Sequence, residues 1–164
     1  MVDMDAFVDR LNPDMCVVTA ASDDERAGCL VGFASQCSMK PVRFVVWLSK
    51  VNRTYEVARR ARFLAVHLLT PEQFELAALF GGETGDEVDK FARTPWVERH
   101  GGAAVLQDSL VWFVGSVEQR IDAGDHVGFV LEPVESGRQE KTEGRSLLRL
   151  ADALTIDPGH PVPD

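Results

Sequence analysis

The chain has 164 residues, 45% of them hydrophobic, and a formal net charge of −9. This length favours one domain with a sizeable core, and the acidic balance argues against nucleic acid and anionic membrane surfaces as partners. The longest apolar run of note, Phe44 to Leu48, is too short to span a bilayer, and the acidic start Met1-Val2-Asp3-Met4-Asp5 lacks the parts of a signal peptide, so a cytoplasmic protein is expected.

In chain order, Met4, Phe7, Val8 and Leu11 fall at helical spacing and predict a short amphipathic helix ended by Asn12-Pro13. Met15 to Ala21 reads as a strand and 22–26 as a polar turn. Leu30 to Cys37 and Phe44 to Leu48 read as the second and third strands. Asn52 caps a helix expected to reach Arg62, and Phe63 to Leu69 is a fourth strand. Thr70-Pro71-Glu72-Gln73 carries a capping-box pattern with proline at the first helical position, so a helix should run from there to Phe80 and stop at Gly81-Gly82.

The glycine-rich 81–85 segment lacks the Gly-Lys-Ser/Thr of a phosphate-binding Walker loop and reads as a flexible connection. A shorter helix is expected over 86–93. Leu110 to Ile121 and His126 to Val134 read as an antiparallel pair around a Gly124-Asp125 turn, and the proline-rich 155–164 tail should be loosely ordered. The organisation implied is one domain over 1–164, its core at about 12–150, mainly β with short helices in a closed or partly closed barrel.

Cys16, Cys29 and Cys37 lie in apolar strand-like contexts without a CxxC pair, so three small core residues are expected and no metal site. His67 sits in an apolar strand and reads as a core or interface residue. Trp47, Trp96 and Trp112 read as core or dimer contacts.

The chemistry-bearing stretch is Ser49 to Thr54. A buried strand ends at Ser49-Lys50 and a helix opens at Asn52-Arg53-Thr54, gathering two hydroxyls, two cations and helix-start N–H groups. Residues 40–62 hold seven basic side chains against Glu56 alone, a cationic island in an acidic chain. That pattern suits a phosphorylated small molecule. Arg59, Arg60 and Arg62 read instead as a solvated helix face.

Four landmarks in order carry a resemblance: Val17-Val18-Thr19; Gly32-Phe33-Ala34-Ser35 with Pro41; Lys50, Arg53 and Thr54; and Gly124-Asp125-His126 before Phe129-Val130-Leu131-Glu132. Asp89-Lys90-Phe91 ahead of Trp96 is a lesser match. Over about residues 12–150 the sequence resembles the flavin reductase-like proteins of the FMN-binding split-barrel class.

The resemblance implies a six-stranded antiparallel Greek-key split barrel that dimerises and holds flavin near the subunit interface. Ser49, Lys50, Asn52, Arg53 and Thr54 would bind the phosphate, and the backbone of Cys29, Leu30, Val31, Gly32 and Phe33 would line the isoalloxazine. His126 would stand where a nicotinamide stacks, although Gly124-Asp125 also reads as a plain hairpin turn with His126 as the first strand residue. The family commonly has hydroxyl or amide side chains where this chain has Cys29, Val31, Gly32 and Val51.

The function implied is hydride transfer from NAD(P)H to FMN, with FAD or F420 as alternative cofactors, in a homodimer supplying a partner monooxygenase. The alternative is a flavin- or F420-binding carrier or sensor without nicotinamide turnover. A hydrolase built on Ser35, Asp125 and His126 is disfavoured, because no nucleophile elbow accompanies them.

Overall fold

A computed structural model of the chain describes residues 1–82 and 89–157. Its strands are β1 (Cys16–Ser22), β2 (Glu25–Val31), β3 (Ala34–Met39), β4 (Val42–Ser49), β5 (Phe63–Leu68), β6 (Trp96–Glu98), β7 (Ala104–Leu106), β8 (Val111–Asp122) and β9 (His126–Arg138). The helices are α1 (Asp5–Val8), α2 (Arg53–Ala58), α3 (Phe74–Gly82) and α4 (Leu150–Ala153).

Seven strands form one antiparallel sheet in the order β2-β1-β5-β8-β9-β4-β3, and β6 pairs with β7 separately. The two ends of the large sheet, β2 and β3, are consecutive in the chain and joined only by Gly32 and Phe33. Two residues cannot bridge the width of a flat seven-stranded sheet, so the sheet must curl until its edges meet. No ladder joins β2 to β3, which leaves the barrel split along that seam. The Trp47 N–H donates to the Phe33 carbonyl at 2.9 Å and ties the seam to β4.

Alternation along β1 shows how the barrel fills. Cys16, Val18 and Ala20 point into the interior with Leu48, Phe129 and Leu131. Val17 faces the other way, into a second cluster with Ala77 and Phe80 of α3 and with Leu106. β5 is likewise covered on both sides, Leu64 and Val66 inside and Ala65 under Ala103 and Val105. Strands buried on both faces read as continuous apolar runs, which explains their sequences. Each fully buried Val or Leu there contributes about 1.5–3 kcal/mol.

The expected architecture stands, with corrections in detail. The main sheet has seven strands because the single strand expected over Leu30 to Cys37 is two, broken at Gly32-Phe33 where the chain changes edges. The helix expected to reach Arg62 ends at Ala58, since Arg59 to Arg62 must turn into β5. Helix α3 runs through Gly82 after a 3-10 turn at Pro71–Gln73. Helix α1 is shorter than its periodicity suggests, and Met4, Phe7, Val8 and Leu11 all lie on the surface. Of the helix expected over 86–93, residues 86–88 lie outside the described residues and Lys90–Ala92 form a 3-10 turn. Residues 83–85 of the expected glycine-rich connection and 158–164 of the tail also lie outside them.

Candidate functional site

Strand β4 ends at Ser49, and the next five residues make a tight corner into α2. The Asn52 N–H donates to the Ser49 carbonyl at 3.0 Å, and the Asn52 side chain accepts the Thr54 N–H at 2.9 Å, capping the helix. This cap pulls Thr54 fully inside. The Ser49 and Thr54 hydroxyl oxygens are both buried without a hydrogen-bond partner among the described residues. Thr54 does interact with the Cys29 thiol and pulls that group's pKa down against the larger upward push of burial, but a thiol is a weak partner. Buried hydroxyls left so cost about 1–3 kcal/mol each, a cost that an anion's oxygens could offset.

The Gly124-Asp125-His126 turn stands beside this corner. Ser49 and His126 are opposed across the β4–β9 ladder, and the Lys50 N–H donates to the Asp125 carbonyl at 2.9 Å. Gly124 adopts φ of 140°, a conformation in which a side chain would be strained. The hairpin reading of Gly124-Asp125 is therefore correct as geometry, and it is also what sets His126 in place. His126 Nδ1 lies 2.7 Å from the Asp125 carboxylate, and its ring sits 5.0 Å from that of Phe33, itself 60% exposed. The turn, the corner and the seam of the barrel thus form one surface.

The segment expected to line a flavin ring, residues 29–33, reaches that surface only in part. Strand β2 is a sheet edge with β1 as its one neighbour, so alternate backbone groups have no ladder partner. The side chains of Cys29 and Val31, however, point into the barrel core, and Leu30 packs on the second cluster. Only backbone at these positions can meet a ligand. A Cβ on Gly32 would stand 3.2 Å from Met15 Sδ, so its small size already serves packing. Behind the strand, buried Lys90 donates to the carbonyls of Gly28 at 2.9 Å and Phe80 at 3.1 Å, tying β2 to the end of α3.

In space the cationic island is largely neutralised, five of its seven cations lying against carboxylates. Arg43 forms a two-pronged pair with Glu118, Lys50 Nζ lies 2.9 and 3.0 Å from the two Asp122 oxygens, and Arg53 pairs with Glu25. Arg60 reaches Asp23 and Glu25, and Arg59 reaches Glu56. The Lys50 ammonium, followed by the Gly124 N–H, holds the Asp122 carboxyl below its usual range. Glu25 and Asp122 are the residues at the candidate site that sequence reasoning missed. Register across the β8–β9 hairpin could have pointed to Asp122, whereas nothing local marks Glu25.

Elsewhere the expected core residues divide. Cys16 and Cys29 are buried, and burial pushes the Cys16 thiol up to about 12, whereas Cys37 is exposed at a bulge in β3. That overturns its core assignment, because the pairing register shifts between Gln36 and Ser38 and turns it outward. His67 is buried. Its Nε2 accepts the Leu106 N–H at 3.0 Å, so Nδ1 carries the proton donated to the Val17 carbonyl at 2.8 Å. Burial lowers its pKa to about 4. Among the described residues no cluster of His, Cys, Asp and Glu could hold a metal ion, and no helix is long and apolar enough to cross a membrane.

A cavity of about 870 Å³ lies further along the barrel, lined by Ala34, Ser35, Phe44, Trp112, Phe113 and Arg138 among others. None of the residues expected to bind flavin lines it, but it begins one residue after Phe33. Exposed Val42 is among its lining residues, exposed Met39 is Val42's ladder partner, and exposed Val134 follows the lining residue Pro133 in the chain.

Comparison with known proteins gives this arrangement a family. The chain is 30% identical over 117 residues to the FMN reductase (NADH) RutF of Agrobacterium fabrum, covering 71% of this chain and 67% of that one. It is 28% identical over 110 residues to HsaB, the reductase subunit of a flavin-dependent monooxygenase of Mycobacterium tuberculosis, covering 67% and 57%. Four further relatives are longer proteins, of whose length the matches take in 24% to 51%. Its fold is that of a Thermus thermophilus FMN-binding protein, with TM-score 0.79 and 21% identity over 92% of this chain and 85% of that one. The flavin reductase like domain model matches residues 8–153, and the chain belongs to that family of split-barrel proteins.

Proposed function

We propose that the chain is an NAD(P)H-dependent flavin oxidoreductase that binds FMN at the Ser49–Thr54 corner, with FAD or F420 as the alternative flavins. The observation that carries this is the pair of buried hydroxyls that flank Lys50 and Arg53 in the chain: Ser49, opposite His126 in the ladder and without a partner among the described residues, and Thr54, whose one recorded contact is the weak Cys29 thiol. The residues fit a phosphate monoester: two hydroxyls to donate, and two cations whose present surface ion pairs are each worth only about 0–1 kcal/mol. Helix α2 is six residues long, so its dipole adds little and the side chains must do the binding.

A bound flavin would supply the hydride acceptor. This chain's share is geometric. The β2 edge offers backbone groups to the ring's polar rim, the Trp47–Phe33 hydrogen bond holds the seam, and Asp125 fixes the tilt of His126, which orients the nicotinamide. No strong acid or base is required.

The chain works as a homodimer on this reading. Support comes from the apolar-lined cavity and from exposed Val42, which lines it, with its exposed ladder partner Met39, which a second copy would cover, close to the Phe33 end of the flavin segment. Reduced flavin would pass to a partner monooxygenase, as the HsaB relative, a monooxygenase reductase subunit, suggests. Free Cys16 and Cys29 suit the reducing cytoplasm.

Anaerobic titration with FMN and then NADH or NADPH tests the reading. Bleaching of the flavin band, on protein that quenches or shifts FMN, is expected with at least one nucleotide. Binding without bleaching by either would make the chain a carrier or sensor module.

A further inference from the structure

Both cations of the corner are held by carboxylates that are themselves anchored elsewhere. Asp122 places both oxygens on Lys50 Nζ, occupying two of its three donors, and Oδ1 also accepts the Gly124 N–H at 3.1 Å. Glu25 sets Oε2 on the terminal Nη2 of Arg53 while its Oε1 accepts from Arg60 Nη2 at 3.1 Å. A phosphate could take the Lys50 and Arg53 donors, but the Gly124 and Arg60 bonds would keep both carboxylates close by. Like charges within a few ångströms of a bound dianion repel it. Together Lys50, Arg53, Arg60, Asp23, Glu25 and Asp122 sum to zero charge, so the corner presents hydroxyls and exchangeable donors rather than a net positive well.

We propose that Glu25 and Asp122 compete with the flavin phosphate for Arg53 and Lys50 and so hold flavin affinity down, making flavin a ligand that exchanges rather than one that stays. This rests on the corner being the phosphate site. Loose binding suits a protein whose reduced flavin must leave for another active site. The two carboxylates then determine affinity without touching the ring.

The test is fluorescence titration of FMN and of riboflavin, which lacks the phosphate, against the parent, Glu25→Gln, Asp122→Asn and Arg53→Ala proteins. Glu25→Gln and Asp122→Asn should each tighten FMN about threefold or more at low ionic strength, less at high salt, and leave riboflavin unchanged. Either variant suffices if the other melts early. FMN binding unchanged or weakened in both, with Arg53→Ala still weakening FMN selectively, overturns the competition and keeps the phosphate site. Equal loss of FMN and riboflavin in Arg53→Ala overturns both.

Discussion

Ser49 on β4 and His126 on β9 are partners in the same ladder, so the corner proposed for the phosphate and the turn proposed for the nicotinamide are two sides of one structure. Lys50 links them again, by its N–H to the Asp125 carbonyl and its ammonium to Asp122. Loss of one side should therefore be separable from loss of the other only where a side chain, and not the backbone, is changed.

Thr54 offers such a change. Its hydroxyl is buried with the Cys29 thiol as a weak partner, so Thr54→Val removes a poorly satisfied group at nearly constant volume. The ligand-free variant should be more stable by about 1 kcal/mol, and its FMN affinity should fall about tenfold with riboflavin affinity unchanged. Denaturant unfolding and paired titrations measure both. A destabilised variant with intact FMN binding would make the hydroxyl a structural group.

The sequence made the barrel legible because its strands are covered on both faces: runs such as Val17-Val18 and Phe63 to Leu69 could not be surface. The corner was legible for the same reason that it is a corner, Ser49 closing a buried strand and Asn52 supplying a cap. The seam was not, since Gly32-Phe33 changes sheet edges without any polar turn residue to mark it. The charge pattern overstated the local positive charge. Sequence windows count neighbours along the chain, while Glu25, Glu118 and Asp122 come to Arg53, Arg43 and Lys50 through the sheet.

His67 makes stability depend on pH. Its pKa falls from 6.5 in the unfolded chain to about 4 in the fold, because burial disfavours the cation. Above pH 6.5 both states are neutral and the group contributes no slope. As pH falls from 6.5 to 4, the unfolded chain takes up a proton that the fold refuses, so stability drops by up to about 1.4 kcal/mol per pH unit. Denaturant midpoints between pH 8 and pH 4 should show this loss, and His67→Gln, which keeps an acceptor and a donor, should flatten it. An unchanged slope in the variant would assign the loss to other groups.

The proposed homodimer would close over the exposed apolar residues beside the cavity. Light scattering should give twice the chain mass at micromolar concentration, and Val42→Glu with Met39→Glu should yield folded monomer, since charges buried in an apolar interface cost several kcal/mol. Parent protein that is monomeric across the whole concentration range while still binding FMN would remove the second copy from the site.

His126 is expected to act on the hydride donor and not on flavin binding. Its ring is fixed from two directions, by the Asp125 carboxylate at 2.7 Å and by Phe33 at 5.0 Å, and it does not contact Lys50 or Arg53 among the interactions described. A group that positions a hydride donor acts on the reactive geometry, so its removal should slow reduction without releasing flavin. His126→Ala is expected to keep FMN affinity within a few-fold and to slow NAD(P)H-driven reduction about tenfold, equivalent to about 1.4 kcal/mol at the transition state. Asp125→Asn, which keeps the ring but weakens its tether, should fall between the two. Stopped-flow reduction of FMN-saturated proteins distinguishes the cases: rates equal to the parent's in both variants would leave His126 as a hairpin residue and place the nicotinamide elsewhere on the barrel.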